Sequence, residues 1–360
     1  MLKKIDIYII KKFLGTFFFS ILLIISIAIV FDVSEHIDDF IEKDAPLDAI
    51  LFEHYLTFIP YFVNLFSYLF VFISVIFFTS KMAANSEIIA ILSSGVSFRR
   101  FLWPYFLSAL FLAVFSFFLT TYIIPPANEV RLNFENTYIR NKFRNFDKNI
   151  HKQIEPGIFV YLDNYNVDFD IGNRFTIEKI NNNKLISKTM ADFVKWDSIE
   201  KTWELNNYVT RDILEDKTEV ITKGIVLDTV IKMEPEDFKR RETIVETMNL
   251  TELNKFIDQQ KLQGSENVIA YEVYRYKLFS YPFSTFILTL IGVSLAIRKV
   301  RGGLGIHIGF GLALSFGYIV FMQFSTNFAI GGNMNPILAV WLPNILFTII
   351  GFFLYRFAPK

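Results

Sequence analysis

Apolar positions along the chain fall into long uninterrupted runs at both ends and into short alternating runs in the middle. Phe13–Phe31, Leu56–Thr79 and Phe101–Ile124 are free of charge and long enough to cross a bilayer as helices. The same holds for Phe279–Ile297. From Gly302 to Tyr355 there is no Asp, Glu, Lys or Arg. That length predicts two spans, about Leu304–Phe324 and Ile337–Tyr355, broken near Ala329–Pro336. Pro125-Pro126 is expected to close the third span, because proline lacks an amide donor and clashes with the preceding turn.

Between about 127 and 270 the period changes. Ile158–Leu162, Arg174–Ile180, Lys184–Trp196, Thr202–Leu214 and Glu219–Ile231 alternate like half-buried strands. Asn181–Asn183, Asp197–Lys201 and Glu215–Lys217 read as the turns between them. An antiparallel sandwich or open roll is expected. Asn249–Gln260 has helical spacing and predicts a short amphipathic helix. The predicted fold is an α-helical membrane protein with six transmembrane helices, three plus three, and an inserted all-β domain. Its divisions are 1–126 (spans one to three), 127–270 (the β domain) and 271–360 (spans four to six).

One polar island interrupts the first set of spans, KMAANSEIIAILSSGVSFRRFLWP (Lys81–Pro104). Its centre has apolar residues, among them Ile91, at helical spacing. Ser86 is a candidate N-cap, and Ser94-Gly95 a stop signal. A short helix over about 84–95 is predicted, displayed between two spans. Glu87 in its first turn reads equally as an exposed charge favoured by the helix dipole or as a partner for an arginine on another protein.

Charge fixes the expected orientation. The amino end (Lys3, Lys4, Lys11, Lys12), the island (Lys81, Arg99, Arg100), the loop with Arg298, Lys299 and Arg301, and the carboxyl end (Arg356, Lys360) are basic and fall on one side in an even-crossing count. The acidic 32–53 connector falls on the other. The basic side is expected to be cytoplasmic. The β domain then lies in the periplasm of a bacterium with two membranes. The first apolar run exceeds a signal-peptide core of roughly 7–15 residues, so it is read as a retained span.

Composition agrees with a membrane class: 52% of the 360 residues are hydrophobic, 42 are Phe, and mean hydropathy is +0.37. Net charge is zero, which gives no reason to expect nucleic acid. With no Cys, thiolate metal sites, disulfides and cysteine nucleophiles are excluded. No phosphate-binding P-loop and no HExxH motif occurs, and His36, His54, His151 and His307 lack metal-ligand spacing. GGLGIHIGFG (Gly302–Gly311) reads as small-residue helix packing, since no strand precedes it. No catalytic residue, metal or cofactor is expected. Asn64, Gln323, Asn327 and Asn344 are expected to hydrogen-bond between spans. Phe31, Phe62, Phe66, Phe321 and Phe324 are candidates for lining an acyl-chain cavity, or simply for facing lipid. The acidic run Asp32, Glu35, Asp38, Asp39, Glu42, Asp44 reads either as a solvated loop or as a divalent-cation site beside a phosphorylated head group.

The layout, together with SEIIAILSSGVS (Ser86–Ser97), PPANEVRLNFEN (Pro125–Asn136), LISKTMADFVKWDSIEKTWELNN (Leu185–Asn207) and MNLTELNKFI (Met248–Ile257) leading into YRYKLFSYPF, resembles the LptF/LptG permeases of lipopolysaccharide export. The resemblance covers nearly the whole chain. It implies a non-catalytic inner-membrane subunit that pairs with a second LptF/LptG-type permease. It also implies a cytosolic ABC ATPase dimer docking on the helix that carries Ser86, Glu87, Ile91, Ser94 and Gly95. On the same resemblance, lipopolysaccharide leaves the outer leaflet through a lateral gate of spans one and five. A β-jellyroll domain then passes it to a periplasmic bridge protein of similar jellyrolls. Family members often carry a basic residue near the outer end of span one, where this chain has Asp32-Val33-Ser34-Glu35. The rival readings are a membrane-embedded enzyme acting on envelope lipids, which needs outward-facing catalytic carboxylates, and a scaffold, whose island would tolerate change freely.

Overall fold

A computed structural model describes residues 3–140, 147–214, 216, 218–239, 242–265, 267–297 and 304–358. The basic residues Arg298, Lys299, Arg301 and Lys360 lie outside them, as do two residues of the turn at Glu215–Lys217. The chain divides into two compact units, one of residues 1–139, 246–250 and 269–360, the other of 140–245 and 251–268.

The first unit is helical. Its elements are α1 (Lys4–Glu42), α2 (Leu47–Ala49), α3 (Leu56–Ala84), α4 (Glu87–Ser93), α5 (Phe98–Phe118), α6 (Ile124–Phe134), α9 (Val268–Ala296), α10 (Leu304–Ile330) and α11 (Pro336–Phe357). Among the described residues, six helical rods are long and apolar enough to cross a membrane, three on either side of the β domain. On α1 the buried positions Ile9, Phe13, Phe17, Ile21 and Ile25 recur every four residues. One stripe of α1 therefore packs on α3 and α5, where Phe13, Phe78 and Tyr105 stack, and the rest of its surface stays apolar and exposed. A second core joins α3 to α9, α10 and α11 through Phe72, Ile76, Leu288, Ile291, Tyr318 and Phe347. Here helices approach closely at glycine. A Cβ on Gly292 would lie 2.9 Å from Val75, and one on Gly311 only 2.3 Å from Ile76.

The rods are longer than hydropathy indicates. α1 has 39 residues, roughly 58 Å at 1.5 Å per residue, against a hydrocarbon core of about 30 Å. Its last eleven residues are the acidic stretch from Asp32, which is helix and not loop. Pro125-Pro126 does not end the third rod either. A π-helical turn, Leu119–Ile123, precedes them, they occupy the first turn of α6, and helix continues through a second π turn to Ile139. In the widened turn the missing proline amide is tolerated. A third π turn, Ile50–Tyr55, leads into α3 ahead of Pro60. In α11, Pro343 frees the Ala339 carbonyl four residues back, and Ser325 Oγ of α10 donates to it at 2.5 Å. α9 begins eleven residues before the predicted span and carries Glu272, Arg275 and Lys277 in its leading turns.

The second unit is built on one six-stranded antiparallel sheet in sequential order. Its strands are β1 (Lys148–Glu155), β2 (Ile158–Asn166), β3 (Ile171–Asn181), β4 (Lys184–Asp197), β5 (Thr202–Ile213) and β6 (Glu219–Thr229). The open antiparallel arrangement expected from the alternation is present, with β1 added. Alternate positions Val160, Leu162, Phe175, Val194, Trp203 and Leu205 form the core with Ile231, Met233 and Phe238, which follow β6. Phe238 belongs to the short helix α7 (Glu236–Lys239). Trp203 is fully buried and donates Nε1–H to the Met233 carbonyl at 2.7 Å. The β1–β2 turn depends on Gly157. Its φ is +80°, and a Cβ there would lie 2.4 Å from the Ile180 carbonyl oxygen. Helix α8 (Leu250–Gln263) follows, as its spacing predicts.

Candidate functional site

The island forms a seven-residue helix, α4, between the ends of α3 and α5. Ser86 does not cap it through its side chain. The amide of Ser86 donates to the Ala83 carbonyl while closing α3, and its φ of +63° reverses the chain. At the other end Gly95 takes φ +87°, the left-handed geometry that favours glycine, and its amide donates to Leu92. Ser94 Oγ donates to the Ile91 carbonyl at 2.7 Å, satisfying an open end of the helix. Ile88 is buried in the α1/α3/α5 core, with Ile91 and Leu92 half-buried beside it. Ile89 and Ala90 face outward. Thus α4 is seated by one apolar side and presents the other.

Glu87 is half-buried and engaged within the chain. The Tyr8 hydroxyl of α1 donates to its Oε2 at 2.9 Å, and Asn85 Nδ2 donates to its Oε1 at 3.3 Å. Next to it, Asp6 of α1 is 0% exposed and receives both terminal nitrogens of Arg100 from α5, at 2.8 and 2.6 Å. Asp6 also accepts the Lys3 amide at 2.7 Å, closing the first turn of α1. Ser97 Oγ accepts the Arg100 amide and caps α5. The first turn of α1, α4 and the first turn of α5 therefore form one polar knot over an apolar floor. The sequence reading missed Asp6, Tyr8 and Arg100 as parts of it. The available signal was Asp6, a lone acid in a basic amino-terminal stretch.

At the opposite end of these helices, Asp32 of the acidic stretch accepts from His54 Nε2 at 2.9 Å. His54 is buried between Phe40 and Phe134, so it is a packing histidine. Among the described residues, no group of three or more His, Asp or Glu has the arrangement of a metal site. Positive charge at this end is carried by Lys43, which follows α1 and donates to the Ile139 carbonyl at 3.3 Å, and by α6 and α9. The Arg131 guanidinium lies 4.7 Å over the Tyr61 ring and 3.3 Å from Glu135. Its Nε is buried without a hydrogen-bond partner. Lys277 is half-buried on α9.

The aromatic candidates do not converge within the chain. Phe62 and Phe66 belong to a ladder on α3 that starts at Phe58, and Phe66 packs on the α1/α3/α5 core. Phe321 packs on the other core, with α9 and α11. Phe31 and Phe324 are 72% and 62% exposed. Two of the span amides pair between helices as expected: Asn64 accepts from Ser116, and Asn344 joins Tyr318 to the Ser280 carbonyl. Gln323 and Asn327 instead pair along α10.

Comparison with protein families finds that the model described as lipopolysaccharide export system permease LptF/LptG matches residues 7–356. Comparison with curated proteins finds no match.

Proposed function

The chain belongs to the LptF/LptG family of lipopolysaccharide export permeases, and from that premise we propose that it is the membrane subunit on which a separate cytosolic ABC ATPase acts through α4. Membership and the six apolar rods make it a multi-pass membrane protein of lipopolysaccharide transport, a permease subunit. The observation that carries the finer reading is the seating of α4. A short helix anchored by Ile88, with Glu87, Ile89 and Ala90 left accessible, is a surface that another protein can push on and that passes the push into three spans.

On this reading the inner membrane is the location, the termini and α4 are cytoplasmic, and the β unit is periplasmic, as the basic flanks favour. The β unit hands the lipid towards the outer membrane through a jellyroll bridge protein. A second LptF/LptG-type permease completes the cavity, which accords with Phe31 and Phe324 lying exposed on α1 and α10. Arg131 and Lys277, with Lys43 just past α1, supply the positive charge for an anionic head group, while Asp32 is tied to His54.

Glu87→Lys places a cation where the partner's cation is expected. Association with the ATPase should be lost while membrane insertion persists, as read by co-purification from solubilised membranes. An unchanged yield of ATPase would defeat the coupling role. For the lipid, a photocrosslinking residue at Phe324 should capture lipopolysaccharide, and capture of phospholipid alone would count against the cavity.

A further inference from the structure

We propose that Tyr8 is a positioning residue for Glu87, so that α1 takes part directly in receiving the ATPase. The inference rests on the docking role of Glu87 given above.

Glu87 sits at the start of a seven-residue helix, too short to hold a side chain by its own packing, and it is only half-buried. Two donors fix its carboxylate from different directions, Tyr8 on Oε2 and Asn85 on Oε1. Asn85 is two residues away and moves with α4. Tyr8 is 79 residues away and belongs to α1. A carboxylate has about four lone-pair sites, so both donors leave room for a third, charged partner. Holding the rotamer in advance removes ordering entropy from the docking step. Tyr8 is itself held in place, because the Asp6–Arg100 pair and the Lys3 amide fix the turn of α1 from which it projects. Any displacement of Glu87 by a docked cation therefore pulls on α1 through the Tyr8 hydroxyl.

The test is a double-mutant cycle on the full-length permease in nanodiscs, titrated with the ATPase that co-purifies with the wild-type chain. Tyr8→Phe keeps the ring and removes only the hydroxyl. It should weaken binding about three- to tenfold, the effect of one hydrogen bond. In the Glu87→Ala background, which offers Tyr8 no acceptor, the same change should have no further effect. An equal loss in both backgrounds would mean that Tyr8 acts only through general structure, and no loss in either would overturn the inference. If Glu87→Ala alone leaves binding unchanged, the docking role itself fails, which is a separate result. A second readout covers the case in which Glu87→Ala binds too weakly to titrate. The ¹⁹F resonance of 3-fluorotyrosine at position 8 should shift on adding ATPase to the wild type, and an unmoved resonance would overturn the inference.

Discussion

Replacing Trp203 by alanine is expected to unfold the β unit and leave the helical unit in place. The side chain is fully buried against Trp196 and Tyr165, and its ring nitrogen closes the core by bonding to Met233. Truncating such a residue costs about 3–5 kcal/mol from lost transfer and the cavity left behind. The Met233 carbonyl also loses its donor. Small domains are stable by only about 5–15 kcal/mol, so one change removes a large share of the total. Hydrogen exchange on the full-length chain should show protection over 148–239 collapsing while α1, α3 and α5 keep theirs. Trp203→Phe, which retains most of the volume, should restore most of the protection. Native-like protection in the alanine variant would show that the sheet does not depend on this core.

The second large effect is expected at Asp6. Asp6→Ala strands Arg100, whose fork is held by two short bonds, and opens the first turn of α1 by removing the acceptor for Lys3. A bidentate arginine–carboxylate pair loses geometry as well as charge when one member goes. The two elements set adrift, α1 and α5, both pack at α4. The amount of permease in membranes should fall several-fold, and what remains should bind ATPase poorly. Arg100→Lys keeps the charge without the fork, so it should give an intermediate loss. Wild-type abundance and binding for Asp6→Ala would show that the pair is incidental.

These expectations rest on contacts that the sequence did not display, although it displayed much else. The spans were legible because twenty apolar residues without charge have few alternatives to a membrane. The turn at Ser94-Gly95 was legible because glycine at a helix end has a local cause. The continuation of α1 past Asp32 and of the third rod past Pro125-Pro126 was not. Charge and proline are read locally as stops, whereas a neighbouring histidine and a π turn removed their cost. Residue type alone suggests Ser86 as a cap, but the tight reversal between α3 and α4 uses its backbone instead. β1 escaped notice because KNIHKQIE alternates with little apolar contrast. The pairs Tyr8–Glu87 and Asp6–Arg100 join positions 79 and 94 residues apart, and no periodicity reports such distances. Phenylalanine was the least informative residue of all, since 42 copies fill core, ladder and lipid-facing positions alike.

The π turns have a consequence for how this chain tolerates change in length. A π turn holds one residue more than an α turn, so it acts as an insertion absorbed inside a helix. The turn at Leu119–Ile123 therefore keeps everything beyond it in the third rod in rotational phase. Deleting a single residue there would return the turn to α geometry and leave α6 in phase, whereas the same deletion in an α-helical turn of the rod would rotate α6 by about 100°. Only the second deletion would swing Arg131 away from the Tyr61 ring. The direction in which the chain aims its charge at that end is thus encoded in a residue count.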